Sequence, residues 1–294
     1  MKTDGNRAII FCSTTDPYQV IRHKDPKMQK ILNNARKTTM RRALVLTRDH
    51  STLNARILTR STLAEQDFEL FKSFKGRLHF GVSIPTLNDK LARIYEPNVV
   101  PPTRRLEMLR RAKKAGLHIY AAMAPTYPEC DESDLRATLQ AIGELDPITI
   151  FHEPINVRAE NVERIAAHAR TLGETINTAV YATPLTWRIY ALEALSTVER
   201  LAYKLGLIDR LKLWPDADLA TKCHFMELRR KAWHKPELTK LECAHFLQQD
   251  EAAYTQFMGW LNCWWSRISD WPGYAENGRT LQPQSNITTV NTEK

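Results

Sequence analysis

Five short stretches hold the side chains that could do chemistry. Cys12-Ser13-Thr14-Thr15-Asp16-Pro17-Tyr18-Gln19 follows one apolar run, and Thr59-Arg60-Ser61 ends a second. Ser83-Ile84-Pro85, Ala124-Pro125-Thr126-Tyr127-Pro128 and His152-Glu153-Pro154-Ile155-Asn156 close three more. Hydroxyls, a guanidinium and carboxylates gathered around one mouth would suit a polar ligand that carries a carboxylate or a phosphate. The same residues also read as helix-capping loops, since Asp16 and Ser61 are good N-caps. His152-Glu153 offers an acid or base at that mouth, or ordinary loop structure.

The cysteines constrain metal chemistry. Cys12, Cys130, Cys223, Cys243 and Cys263 include no two within four residues of each other, so the chain has no CxxC-type knuckle. An odd count in a large chain points to reduced thiols and a cytoplasmic setting. Cys223-His224 and Cys243-Ala244-His245 admit a second metal site, but lie 20 residues apart in helix-like sequence, where packing is the simpler reading. Trp260, Trp264 and Trp265 stand at i, i+4 and i+5, which suits a helix face packed on a core; base stacking is the alternative.

The elements that must position these residues are short apolar runs separated by helical patterns. The strand candidates are Ala8 to Cys12, Ala55 to Thr59, Leu78 to Ile84, Leu117 to Met123 and Ile148 to Phe151, with Leu211-Lys212-Leu213 as one short further candidate. Helical patterns run from Lys27 to about Thr47, read as two pieces, and over Thr103–Ala115, Asp131–Gly143 and Glu160–Gly173. Strand–helix alternation at this spacing predicts parallel βα units, about five before residue 175. In such folds the working residues sit at the C-terminal ends of the strands. Beyond that point Trp187 to Leu205 and Leu238 to Ile268 read as helical, and five of the seven tryptophans lie past residue 230. The expected division is a partial barrel over 1–175, a mostly helical region over 176–276 and a polar tail over 277–294.

Length and charge agree with this picture. The chain has 294 residues, 43% hydrophobic and 26% charged, which excludes a disordered or fibrous chain. No run approaches the roughly 18 apolar residues of a membrane span, and no apolar signal segment follows Met1. The net charge of +9 admits nucleic acid as a partner, although the basic residues are spread along the chain.

The strand ends carry a resemblance. Cys12-Ser13-Thr14-Thr15-Asp16-Pro17-Tyr18-Gln19 resembles the "S-x-T-D-P-Y-Q" strand end of radical S-adenosylmethionine (SAM) proteins related to spore photoproduct lyase, often called DNA repair photolyase-like proteins. Ile57-Leu58-Thr59-Arg60-Ser61 is similar to that family's "I-L-T-K/R-S", and Val82-Ser83-Ile84 to its "x-S-I". Tyr95-Glu96-Pro97 with Arg105-Leu106, and Ala115-Gly116-Leu117 with Ala124-Pro125-Thr126-Tyr127-Pro128, match two further motifs in order. The resemblance spans about residues 8 to 156.

What it implies is an incomplete parallel (βα)₆-type, TIM-like α/β barrel that holds SAM and a [4Fe–4S] cluster, and generates a 5′-deoxyadenosyl radical. Thr15 matches a hydroxyl that contacts SAM, Arg60 the basic residue that pairs with the SAM carboxylate, and Ser83 a further hydroxyl contact. The family's cluster sits on a CxxxCxxC loop after its first strand, and this sequence has no such motif. Iron–sulfur clusters need several thiolates. The expectation is therefore a chain that begins after the first βα unit, without cluster ligands of its own. The alternative is a cluster-less, non-catalytic nucleic-acid-binding or scaffold protein on a relic barrel. Cys12 stands one residue from the position of the family's hydrogen-donor cysteine, which Ser13 occupies, and reads as a small buried residue. The residues do not name a substrate.

Overall fold

The computed structural model describes residues 7–11, 15–157, 160–213, 274–276 and 279–281. Six parallel strands form one sheet in chain order: β1 (Ala8–Phe11), β2 (Asn54–Thr59), β3 (Leu78–Ser83), β4 (His118–Thr126), β5 (Ile150–Pro154) and β6 (Leu211–Leu213). Between them run α1 (Pro26–His50), α2 (Phe68–Lys72), α3 (Asp89–Tyr95), α4 (Pro102–Lys114), α5 (Glu132–Gly143), α6 (Asn161–Thr171) and α7 (Pro184–Lys204). Each strand pairs only with its neighbours in sequence, and β1 and β6 are the two edges. The result is an open α/β sheet of the incomplete-barrel kind. Farther along, Tyr274–Glu276 and Arg279–Leu281 pair antiparallel.

Local sequence explains most boundaries. Asp25 caps α1 by accepting from the Lys27 amide at 2.8 Å, with Pro26 in the first helical turn. Asp131 caps α5 through the Asp134 amide, also at 2.8 Å. Thr183 and Thr186 form a reciprocal capping box on α7, with Pro184 in its first turn. Gly116 follows α4 at φ +81°, a left-handed conformation that costs glycine nothing.

One expectation needs correction. The region from Lys27 to Thr47 is one continuous helix rather than two pieces. Thr38-Thr39 lowers helix propensity in its middle, but Met40, Leu44 and Thr47 bury one face of the helix immediately after it, and packing outweighs propensity. The five strands read before residue 175 are present, and the short Leu211–Leu213 candidate is the sixth: Leu211 and Leu213 are buried and pair with Ile150 and His152. The helix expected over Leu238–Ile268, Cys12, Cys223, Cys243 and Cys263, and every tryptophan past residue 230 lie outside the described residues.

The sheet has two unlike faces, because successive side chains alternate. On one lie Ala55, Ile57, Phe80, Val82, Ile119, Ala121, Met123 and Ile150, all at most 1% exposed. Phe80 stacks on Phe71 of α2 with ring centroids 5.5 Å apart, and meets Phe68 edge-on at 5.3 Å. The other parity carries Arg56, His79, Ser83, His118, Tyr120, Phe151 and Lys212. None of the described helices is long and apolar enough to cross a membrane.

Candidate functional site

The loop after β1 and the C-terminal end of β2 are tied together by one carboxylate. Asp16 accepts hydrogen bonds from the Tyr18 amide (2.8 Å), the Thr59 hydroxyl (2.7 Å) and the Arg60 amide (2.7 Å). Asp16 is thus not a helix cap. It fastens the loop after β1 to the end of β2, with the exposed Thr15 immediately before it in that loop. Ser61 does cap, accepting from the Leu63 amide at 3.3 Å at the start of a short 3₁₀ turn.

Arg60 and Ser83 are in direct contact. The Arg60 Nε lies 3.3 Å from Ser83 Oγ and 2.9 Å from Glu96 Oε1. Ser83 Oγ in turn donates to the Ala124 carbonyl at 2.7 Å. Glu96 pairs through its other oxygen with Arg105, which is completely buried. Arg105 also donates to the carbonyls of Val100 (2.6 Å) and Ser83 (2.9 Å). One carboxylate therefore links a saturated, buried arginine to a partly exposed one. The Arg60 side chain is 42% exposed, and its terminal nitrogens make no hydrogen bond among the described residues. A guanidinium fixed through Nε with its outer fork free is arranged to take a carboxylate or phosphate in bidentate fashion.

Beside this network Tyr127 stacks on Tyr95 at 3.9 Å, with the rings 7° from parallel. Burial, reinforced by the Glu96 charge, pushes the Tyr127 phenol well above its usual range, so it stays protonated. The Tyr95 hydroxyl donates to Glu129 at 2.5 Å.

Of the three residues expected to contact a cofactor, the fold joins Arg60 and Ser83 directly, while Thr15 is exposed in the loop that Asp16 fastens to β2. Ser83 is 3% exposed and engaged with Arg60 and Ala124. Glu96 and Arg105 stood in the sequence only as a motif; the structure shows them to be the brace behind Arg60. The signal that could have found the brace was a charged residue inside the apolar face of α4, at Arg105.

His152 does not serve the mouth. It lies on the same parity as Ile150, is fully buried, and its Nε2 sits 3.1 Å from the Thr126 hydroxyl. Desolvation lowers its pKa to about 3, so the ring is neutral. Strand alternation turns His152 to the core rather than to the mouth, which takes it out of any acid–base role there. Cys130 is buried too; its sulfur accepts from the Tyr127 amide at 3.4 Å, and burial pushes the thiol up. Among the described residues no three His, Cys, Asp or Glu side chains gather to hold a metal ion.

No family model matches the chain. It is 31% identical over 164 residues to uncharacterized protein ORF301 of Acidianus two-tailed virus, covering 54% of this chain and 50% of that protein. It is also 31% identical over 105 residues to uncharacterized protein MJ0683 of Methanocaldococcus jannaschii, covering 35% of this chain and 38% of that one. The chain therefore spans half or less of the relatives it matches. Among solved structures, two variants of spore photoproduct lyase share its fold. Their TM-scores are 0.50 and 0.51 at 12% and 13% identity, covering 70% and 71% of this chain and 60% and 61% of theirs.

Proposed function

We propose that the chain binds S-adenosylmethionine at the C-terminal ends of β1 to β3, as a radical SAM protein of the spore photoproduct lyase-like family. The observation that carries this reading is the braced Arg60, whose Nε is held by Ser83 and Glu96 while its outer fork stays free. The fold shared with spore photoproduct lyase supports it. In this reading Arg60 pairs with the amino-acid carboxylate of the cosubstrate, where a planar fork matches the two oxygens. The Thr15 hydroxyl adds a polar contact from the exposed loop after β1. Ser83 acts through Arg60 as a positioning residue rather than as a direct contact. When bound, S-adenosylmethionine supplies an activated sulfonium.

The described residues do not fit an iron–sulfur cluster. Cys130 is the described cysteine, it is buried, and its sulfur already accepts from the Tyr127 amide. A cluster needs several thiolates together. What these residues do is bind and orient the cosubstrate.

Calorimetric titration of the full chain with S-adenosylmethionine tests the assignment. Arg60→Ala is expected to weaken binding by about 1.5–3 kcal/mol, the scale for losing a hydrogen bond to a charged group. Ser83→Ala should weaken it less, because Glu96 still holds Arg60. Arg60→Ala should remain folded, since Glu96 keeps its pairing with the buried Arg105. An affinity that does not change in the Arg60 variant would remove that residue from the site.

A further inference from the structure

A second group of basic side chains lies on the same sheet parity as Ser83, but toward the opposite ends of the strands. Arg56 of β2 pairs in register with His79 of β3, and His79 with His118 of β4, so the three form one row across adjacent strands. The His79 and His118 rings lie 5.6 Å apart. His118 is exposed, while Arg56 and His79 are half-buried. Arg56 is four residues before Arg60, which places the row about 13 Å from the proposed cosubstrate site along the strand.

Arg56 is held by its face. Its guanidinium carbon lies 5.1 Å from the Tyr120 ring centroid and 5.0 Å from that of Phe151. Those rings meet edge-on at 5.9 Å. Tyr120 is itself pinned: it crosses Gly81, where a Cβ would come 2.2 Å from the ring, and its hydroxyl donates to the Ile57 carbonyl at 2.9 Å. Cation–π contact engages the flat side of a guanidinium and leaves its edge donors available. The side chains of Arg56, His79 and His118 make no hydrogen bond or ion pair among the described residues. Among the described residues, the charges that act on His79 are those of His118 and Arg56, with no carboxylate among them. This is the reverse of the Arg60–Glu96–Arg105 brace, in which carboxylate and guanidinium compensate each other.

We propose that Arg56, His79 and His118 form an oxyanion site for a phosphate group, separate from the cosubstrate site. The fixed positive charge comes from Arg56, and the two imidazoles supply N–H donors from the neighbouring strands. Desolvation, then the His118 and Arg56 charges, holds the His79 pKa below its usual value in the free protein. A bound anion offsets those positive charges and favours the imidazolium. Binding then takes up protons and tightens as pH falls. The phosphate belongs either to a small phosphorylated molecule or to a nucleic-acid backbone, and the two differ in the test.

The test titrates the full chain with inorganic pyrophosphate and, separately, with an oligothymidylate, at pH 8 and pH 6. Pyrophosphate is expected to bind more tightly at pH 6. Arg56→Gln should weaken it about tenfold or more, the scale of a lost charge-assisted hydrogen bond. His118→Gln, at an exposed position with little risk to folding, should weaken it by a smaller factor, and His79→Gln should reduce the pH dependence. If the oligothymidylate binds and loses the same factors in the Arg56 and His118 variants, the natural phosphate is a backbone one; if pyrophosphate alone binds, it is a small molecule. Binding of neither probe, or binding that the Arg56 and His118 variants both leave intact, overturns the site. Zn²⁺ uptake abolished by His118→Gln, without pyrophosphate binding, also overturns it in favour of a metal site. S-adenosylmethionine affinity should be unchanged in His118→Gln, so failure here and failure of the Arg60 assignment are distinguishable.

Discussion

The two faces of the sheet treat the same residue types in opposite ways. His152, on the parity shared with Ile150, is fully buried and neutral, with Nε2 against the Thr126 hydroxyl. His79 and His118, on the other parity, stay half-buried to exposed and lack hydrogen-bond partners among the described residues. A polar group sealed under helices must lose its charge or find a partner, because desolvation of an uncompensated charge costs too much. A polar group on a wetter face can remain unpaired and be available to a ligand. Arginines divide likewise: Arg105 is buried and saturated, whereas Arg56 and Arg60 keep donors free.

The largest test of that contrast is truncation on either side of one strand. Phe80→Ala removes a ring packed on Phe68 and Phe71 and should destabilise by about 3–5 kcal/mol in urea titration. His79→Ala, one residue away and facing the other side, should cost no more than about 1 kcal/mol. Comparable losses in the two variants would break the distinction between the faces.

A smaller effect is expected where the wetter face is locally tight. Gly81→Ala would drive a methyl into the Tyr120 ring and should cost about 1–3 kcal/mol. Because Tyr120 cradles Arg56, the same substitution should also weaken pyrophosphate binding. Wild-type stability and binding in that variant would show that Tyr120 is free to move.

The buried side of the contrast is also open to a pH test. The His152 pKa is lowered to about 3 in the folded chain, below the ordinary histidine value of 6.5. Between those values the unfolded state binds the extra proton, so stability is full above pH 6.5 and declines as pH falls toward 3. The slope from one proton is about 1.4 kcal/mol per pH unit. His152→Gln should flatten that part of the stability–pH curve. An equally steep curve in the variant would assign the acid sensitivity to other groups.

Much of this architecture was legible in the residues. Apolar runs of strand length, separated by capped helices with one apolar face, are local properties, and they named the parallel strands and the loops that carry Thr15, Arg60 and Ser83. Leu211-Lys212-Leu213 was harder, because three residues hold too little pattern to separate a strand from a loop until β5 is beside them. The continuity of α1 was misread for a similar reason: two threonines weaken local propensity, and only the core contacts of Met40 and Leu44 override them.

By itself, then, the sequence determined the βα order, the strand-end motifs and the lack of a CxxxCxxC loop, all of which are matters of residue type and spacing along one chain. The tertiary structure alone decided which charges compensate one another. Glu96 reaches both Arg60 and Arg105, Asp16 joins two loops 43 residues apart, and Arg56, His79 and His118 fall into one row. Pairing across a sheet depends on register and on which parity faces the core. A single-residue shift in either would have put His152 on the parity of Ser83 and Arg56 beneath the helices.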